Sequence, residues 1–481
     1  MSTLRGNWAL SLLLALSLGL SAAAASWPNG PLSTSGRWIT DASGANVTYV
    51  GVNWPGASET MIPEGLQYQS VASMVSKIKS LGMNSIRLTY AIEMIDQIYE
   101  NNGQDIPVLT AFTTALGQEN GTRVFNEILT KNPSFSANTT RLEVFDAVAA
   151  ECAKQEIYVH LDNHVSKASW CCTPLDGNSW WGDKYFDVGN WTRGLGYMAD
   201  RGKSWPALTS MSLRNELRQP LTDGNLTLFQ NSYNWQDWYK YTKLGAAAIH
   251  EKNTDLLIFL SGMDSDTRLD PVVQATALTP GNGTFSLDDF SGYSNKLVLE
   301  LHAYEITTTV DNCTKFTADL TSYGYSAVNV TAADVPRHAF PVVMTEFGFT
   351  QDATTWKDVY ATCLASFLPA QKSGWMIWAL GGSYYIRSGE QDYNETWGLL
   401  TKDGSEWRSP DFVNGGLKPM IEATFKAVGD SSGSGNGTNS TGSNGGSGNG
   451  TSTSAAVPRY GDGVGSVIWV LAPLALLVAS L

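Results

Sequence analysis

Eight apolar, strand-like runs recur along the chain, each separated from the next by enough sequence for a helix, and this rhythm restricts the fold more than any other feature. The runs are 47–53, 84–90, 157–164, 207–215, 256–262, 296–304, 341–349 and 374–382. Between them, 67–81, 141–155, 233–253 and 356–373 carry apolar residues at spacings of three and four, which predicts helices. Strands that alternate with helices imply parallel pairing, and eight such units predict an α/β fold of the (β/α)8 barrel type in a single domain. The rival is an open doubly wound sheet, which would place a glycine-rich phosphate turn after its first strand. The first run here ends instead in Gly51-Val52-Asn53-Trp54-Pro55-Gly56. The stretch 92–140 is longer than a βα connection needs and reads as an insertion with a short helix around 125–130.

In such a barrel the C-terminal strand ends share one rim, so polar residues at those ends are the candidates for chemistry. The second run holds Arg87 and Tyr90, and the third ends Leu161-Asp162-Asn163-His164. The fourth ends Leu213-Arg214-Asn215-Glu216, the sixth His302-Ala303-Tyr304 and the seventh Thr345-Glu346-Phe347-Gly348, while the eighth contains Trp378. Core packing does not account for so many ionisable groups at strand ends. Glu216 and Glu346 come from opposed parts of the rim and can face each other across a bound glycosidic bond. Two carboxyls about 5 to 5.5 Å apart let one attack the anomeric carbon while the other protonates the leaving oxygen. A salt-bridged or solvated strand end explains either glutamate alone, but explains the pair poorly.

Taken in order, Gly51-Val52-Asn53-Trp54, Ile86-Arg87-Leu88, Leu161-Asp162-Asn163-His164, Asn215-Glu216, His302-Ala303-Tyr304, Thr345-Glu346-Phe347-Gly348 and Trp378 resemble the retaining β-glycanases of glycoside hydrolase family 5, cellulase-like (β/α)8 enzymes. The resemblance runs from about Gly51 to Gly382. It implies that Glu216 is the acid/base and Glu346 the nucleophile, with Asn215 holding the sugar 2-hydroxyl. It also implies that Arg87 and Tyr304 lie beside Glu346, that His164 and His302 complete a polar ring with His302 near the acid/base, and that Trp378 is the floor on which the sugar stacks. Where the family has Asn-Glu-Pro, this chain has Asn215-Glu216-Leu217, which alters the following loop and removes no catalytic group. The segment 166–183, with Trp170-Cys171-Cys172 and Trp180-Trp181-Gly182-Asp183, is similar to a subgroup shared by fungal and plant members. Trp54, Trp170, Trp180 and Trp181 are candidate sugar platforms.

Composition narrows the partner. The 45 acidic against 31 basic residues, a formal charge of -14, argue against nucleic acid or anionic lipid. Seventeen tryptophans in such a chain suit a neutral, flat-faced ligand such as a sugar, and the resemblance implies a β-linked polysaccharide or oligosaccharide. The expected activity is retaining hydrolysis of β-glucan, most simply as an endo-β-1,4-glucanase. A β-1,3- or β-1,6-glucanase, a mannanase, a glycolipid glycosidase, or a non-catalytic carbohydrate-binding surface protein stay open as alternatives. No cofactor motif is present, and the five histidines form no His-Glu-x-x-His pair, so neither cofactor nor metal is expected.

The two ends carry processing signals. Arg5, the apolar run 8–20 and the small residues 22–26 predict a secretory signal peptide over 1–25. A globular domain over 26–428 is followed by a Gly/Ser/Asn-rich linker over 429–454. The segment 455–481 has a polar spacer and an apolar tail with no basic residue after it, which predicts a glycosylphosphatidylinositol attachment signal in preference to a transmembrane helix. Twelve Asn-x-Ser/Thr triplets fit a secreted, anchored glycoprotein on the outer face of the plasma membrane or in the cell wall, expected as a monomer. Five cysteines, Cys152, Cys171, Cys172, Cys313 and Cys363, allow two disulfides and one thiol, with the pairing open.

Overall fold

The computed structural model describes residues 27–221, 226–305 and 310–432; the segments expected as signal peptide (1–25) and anchor signal (455–481) lie outside the described residues, as does the expected linker (429–454) except for 429–432, which continue the last helix, Lys418–Ser432. Eight parallel strands close into a barrel: β1 Val50–Trp54, β2 Ser85–Ala91, β3 Tyr158–Val165, β4 Leu208–Ser212, β5 Leu257–Leu260, β6 Leu297–His302, β7 Val342–Glu346 and β8 Gly374–Ile377. Neighbours in space are neighbours in sequence all the way round, and β8 returns to β1 through Met376 opposite Gly51. Every residue of these strands is buried, as expected of a parallel sheet covered on both faces. All eight strand-like runs of the sequence therefore lie in the barrel, shortened at their ends.

The bottom of the barrel is filled by Tyr49, Tyr158, Leu257, Phe259, Val298, Val343 and Met376, packed with Leu32 and Ile39. Ile39 belongs to a small antiparallel sheet of Ser33–Ser35, Trp38–Thr40 and Asn46–Val47 that precedes β1 and closes this end. With one end plugged, the opposite rim carries the polar strand ends.

The four expected helices are present as Val71–Ser80, Arg141–Lys154, Trp235–Lys252 and Val359–Ala370. Their starts follow local chemistry: Ser70 and Asn234 accept backbone N–H groups, and Thr140 with Glu143 forms a reciprocal capping box. A helix at Val188–Arg201 escapes the periodicity because it contains three glycines, which lower helix propensity. Gly194 lets the helices approach closely: a Cβ would lie 2.6 Å from Ile92 Cδ1, so that side chain would have to move.

The insertion is more ordered than a loop with one short helix. It holds Ile92–Glu100, Val108–Leu116 and Gln118–Lys131. Val108, Phe112, Val124, Phe125 and Ile128 bury an apolar seam, and Arg141 ties the ends together through Asp105 at 2.7 Å and Gln97 at 2.6 Å.

Gly51 in β1 sits against the backbone of β2, and a Cβ on it would fall 2.2 Å from the Ser85 carbonyl oxygen. Gly51→Ala is expected to cost at least about 1–3 kcal/mol, because backbone cannot yield as a side chain does. Urea unfolding of purified wild type and variant measures this, and equal midpoints would contradict it.

Candidate active site

The polar rim is organised by Arg87, which is fully buried on β2. Its Nη1 donates to Glu346 Oε1 and, at 3.0 Å, to Asn53 Oδ1. Its Nη2 donates to Asn215 Oδ1 at 2.7 Å and meets Asp162 Oδ1 at 3.0 Å. Burial works against the guanidinium charge, but the carboxylates of Asp162, Glu346, Glu300 and Asp266 outweigh it and raise the Arg87 pKa. Burial likewise opposes the Asp162 charge; Arg87 and the His164 hydrogen bond nevertheless hold its carboxyl at about 2. His164 Nδ1 lies 2.8 Å from Asp162 Oδ2, so one buried carboxylate fixes both a cation and an imidazole.

Glu216 stands just past the end of β4 with φ at +49°, a conformation a non-glycine residue holds only when its surroundings impose it. Here they do: its N–H donates to Asp266 Oδ2 at 2.7 Å and its carbonyl accepts from Arg218 Nη1 at 2.7 Å. Burial raises the Glu216 pKa against the lowering influence of Arg218, His164 and Arg87. Beside it, His302 Nδ1 is 3.2 Å from Glu216 Oε1 and Nε2 is 3.1 Å from Thr345 Oγ1. Burial brings the His302 pKa down to about 3 despite the pull of Glu346, so the ring is neutral. Thr345 Oγ1 donates to Glu300 Oε2 at 3.3 Å, which leaves it to accept from Nε2. With the ring proton on Nε2, the Nδ1 lone pair faces Glu216 Oε1.

Glu346 ends β7 and has both oxygens engaged, Oε1 by Arg87 and Oε2 by the Tyr304 hydroxyl at 2.9 Å. Burial, followed by the charges of Glu346 and Glu216, raises the Tyr304 pKa well above its usual range and keeps the hydroxyl a donor. Carboxylate oxygens of Glu216 and Glu346 lie within 4.8 Å of each other. This is the close spacing that a direct carboxylate attack on the anomeric carbon requires; an interposed water would need about 6.5–9.5 Å.

These groups open into a cleft of about 680 Å³ lined also by His164, Trp170, Trp378 and Trp397. Trp378 stacks on His164 with ring centroids 5.5 Å apart. Arg87, His164, Asn215, Glu216, His302, Tyr304, Glu346 and Trp378 thus come together as the sequence placed them. Three candidate platforms do not. Trp54, Trp180 and Trp181 are at most 1% exposed and lie in the core: Trp54 Nε1 donates to the Glu64 carbonyl, Trp180 packs edge-on against Trp181, and Trp181 packs edge-on against Trp191. Trp170 does line the cleft. Sequence reasoning missed Arg387, Glu395 and Trp397, which follow the eighth strand and belong to no repeating unit.

Cysteine pairing is resolved as Cys171–Cys172 and Cys313–Cys363, with Cys152 a buried thiol. The first pair lines the cleft and receives the Asn215 amide at 3.5 Å on Cys172 Sγ. Two groups among the described residues bring metal-ligating atoms within 4.8 Å of one another. In the first, His164 with Cys171 and Cys172, the disulfide leaves no thiolate; the second is Glu216, His302 and Glu346, already engaged as described.

With this geometry in view, residues 40–383 match the family model for cellulase, glycosyl hydrolase family 5. A protein described as a glycosyl hydrolase 5 family protein from Chamaecyparis obtusa is 35% identical over 422 residues, 84% of this chain and 68% of its own length. An endoglucanase from Paenibacillus polymyxa is 22% identical over 416 residues, covering 83% of this chain and 90% of that one. Among solved structures, the catalytic domain of the major endoglucanase from Xanthomonas campestris pv. campestris shares the fold at a TM-score of 0.58 and 18% identity, covering 81% and 99% of the two chains. An endocellulase from Pyrococcus horikoshii solved with cellotetraose does so at 0.58 and 18%, covering 82% and 99%.

The depressed Asp162 carboxyl makes a signed prediction. Because its folded pKa lies below the ordinary 3.8, its stabilisation is complete above that value and is lost as pH falls through about 2. Asp162→Asn is expected to lose about 2–3 kcal/mol at pH 7, since it removes one of the two carboxylates paired with Arg87, with the gap to wild type narrowing from pH 4 downward. Denaturant titrations across pH 2–7 check it; a gap independent of pH would refute the assignment.

Proposed function

The chain belongs to glycoside hydrolase family 5 and is a glycoside hydrolase, and from that premise we propose that it is a retaining β-glycosidase of cellulase type, hydrolysing the O-glycosidic bonds of β-1,4-linked glucan by a two-glutamate double displacement. The observation that carries this reading is the pair of carboxylates within 4.8 Å, one held between Arg87 and Tyr304 and the other buried beside a neutral His302. Glu346 attacks the anomeric carbon and forms a covalent glycosyl ester while Glu216 gives its proton to the departing oxygen. Glu216, now a base, then takes a proton from water as that water attacks the ester, and the released sugar keeps its configuration.

The protonation states favour this division of labour. Burial raises the Glu216 pKa, which suits a proton donor, whereas Glu346 has a guanidinium on one oxygen and a hydroxyl donor on the other, which suits an attacking carboxylate. Asn215, fixed by Arg87 through its carbonyl, is poised for the sugar 2-hydroxyl, and Trp378 offers the stacking floor. The choice of β-1,4-glucan leans on relatives described as endoglucanases.

We further propose secretion and tethering at the cell surface. The signal-peptide and anchor patterns support this, and so does the exposure of the glycosylation triplets. None of the eight acceptor asparagines among the described residues, Asn46, Asn120, Asn138, Asn190, Asn282, Asn312, Asn329 and Asn394, is buried.

Secreted protein and its variants, incubated with β-1,4-, β-1,3- and β-1,6-glucans, mannan and glucosylceramide and read by chromatography, test the reading. Glu346→Gln should lose more than nine-tenths of turnover on every substrate; more activity than that removes it as nucleophile. Glu216→Ala should lose about 10²–10⁴-fold on natural substrates and far less on aryl glycosides with good leaving groups, and equal losses would remove the acid role. The alkaline limb of kcat/KM should lie above the 4.5 of an ordinary glutamate, because activity falls as the raised Glu216 pKa is crossed. Sugar binding without turnover across the panel would favour a carbohydrate-binding protein.

A further inference from the structure

Shortly after β8 the chain forms an antiparallel hairpin of Ser383–Arg387 and Glu390–Asn394. Arg387 at the end of its first strand and Glu395 just past its second both line the cleft that holds Glu216 and Glu346. Glu395 is 1% exposed; its Oε2 accepts from Arg387 Nη1 at 2.6 Å and its Oε1 from the Trp397 N–H at 2.8 Å. The Arg387 guanidinium sits over the Trp170 ring, 3.7 Å from its centroid. Trp170 in turn meets Tyr384 edge-on at 5.1 Å and Trp378 at 6.4 Å. Trp170 comes from the loop after β3, so loops following β3 and β8 touch each other on the side of the rim that β1 and β2 occupy.

This wall is braced from behind by the insertion. Gln391 donates to the Leu116 carbonyl at 3.0 Å and accepts from Asn120 at 2.8 Å, the Tyr68 hydroxyl donates to Asp392 at 2.7 Å, and Phe112 packs edge-on against Tyr385 at 4.7 Å. Glu64 accepts the Tyr385 N–H at 2.7 Å. An isolated hairpin is marginal in water; this one is held by the body of the protein on several sides.

A polymer that threads the cleft needs free passage at both ends. Here one end presents a guanidinium, a nearly buried carboxylate and an indole in a fixed array, which is hydroxyl-binding chemistry and an obstruction at once. The wall adjoins Trp378, the proposed floor under the reacting sugar. Its hairpin packs on Glu64 and Tyr68 after β1 and on Leu116 and Asn120 after β2, which places Arg387 and Glu395 on that side of the rim, while the Trp170 loop runs on to Asn215 through Cys172. The wall therefore faces the glycone and leaves the departing group free.

We propose that Arg387, Glu395 and Trp170 form a specificity-determining cap that binds the hydroxyls of a terminal, non-reducing β-glucosyl unit and confines cleavage to a short, fixed distance from that chain end. The proposal rests on the reading of Glu216 and Glu346 as a retaining pair and specifies where along the substrate that pair acts.

Full-length secreted protein is assayed on cellohexaose labelled at its reducing end and on soluble mixed-linkage β-glucan, following the position of the cut and the fall in viscosity per reducing end released. Wild type should release one short product from the non-reducing end and lower viscosity slowly. Glu395→Gln and Arg387→Ala should each reduce kcat/KM on cellohexaose about 10- to 100-fold, chiefly through KM, since each removes a charged hydrogen-bond partner. Trp170→Ala, on a different loop and only half-buried, should spread the cuts toward the middle of the chain; it keeps the test available if Glu395→Gln fails to fold. A purely structural role would lower stability without moving the cut. Random internal cleavage by wild type, or an unchanged cut position in folded Trp170→Ala, overturns the cap. The two readings fail differently: turnover retained in Glu346→Gln removes the catalytic pair, whereas random cleavage in an enzyme that Glu346→Gln inactivates removes only the cap. No hydrolysis of either substrate removes both.

Discussion

One buried cation sets the geometry of the rim. Arg87 reaches Asn53 on β1, Asp162 on β3, Asn215 after β4 and Glu346 at the end of β7, so a single guanidinium ties together strand ends from around the barrel. Removing such a charge from water costs several kcal/mol, which the two carboxylates and two amide oxygens around its Nη1 and Nη2 offset. The partners are therefore held as firmly as the cation, which is what a site needing two carboxylates at a set spacing requires. Lysine could not substitute, because a single ammonium lacks the planar fork that addresses two carboxylates and two amides at once.

The same network distributes protons. Two carboxylates within 4.8 Å disfavour double ionisation, and the surroundings break the tie. Arg87 lies against Glu346, whereas Glu216 is buried, strained in its backbone and faced by an imidazole that burial keeps neutral. The chemistry thus follows from which strand end the cation occupies; β2 adjoins β1 and β3, yet Arg87 crosses the barrel to β7.

Much of this was legible in the sequence because a parallel barrel repeats. Each strand is buried on both faces, so Arg87, His164, Glu216, His302, Glu346 and Trp378 stand out as polar or aromatic interruptions in or just after successive apolar runs. Glycine-bearing helix Val188–Arg201 was hidden because its glycines serve packing against neighbouring helices at the expense of propensity. Tryptophans were ambiguous for a different reason: a loop tryptophan and a core tryptophan look alike until burial is known, and Trp54, Trp180 and Trp181 went to the core while Trp170 went to the cleft. Arg387, Glu395 and Trp397 carried no periodic signal, since they lie beyond the last repeat, and the insertion that braces them is separated from them by most of the chain.

That separation has a functional logic. Glu216 and Glu346 are fixed by strand ends and a buried ion network, whereas one wall of the cleft comes from a hairpin, braced by an insertion, that the barrel does not need for closure. Changes in those loops can alter which part of a sugar chain is admitted while the Arg87 network stays intact. The two systems meet at Trp397, whose N–H holds Glu395 and whose ring lies 5.8 Å from that of Tyr304, the residue that donates to Glu346. The hairpin side of the cleft and the Glu346 carboxylate are thus joined by one short chain of contacts, Glu395 to Trp397 to Tyr304 to Glu346, even though these residues lie far apart in sequence.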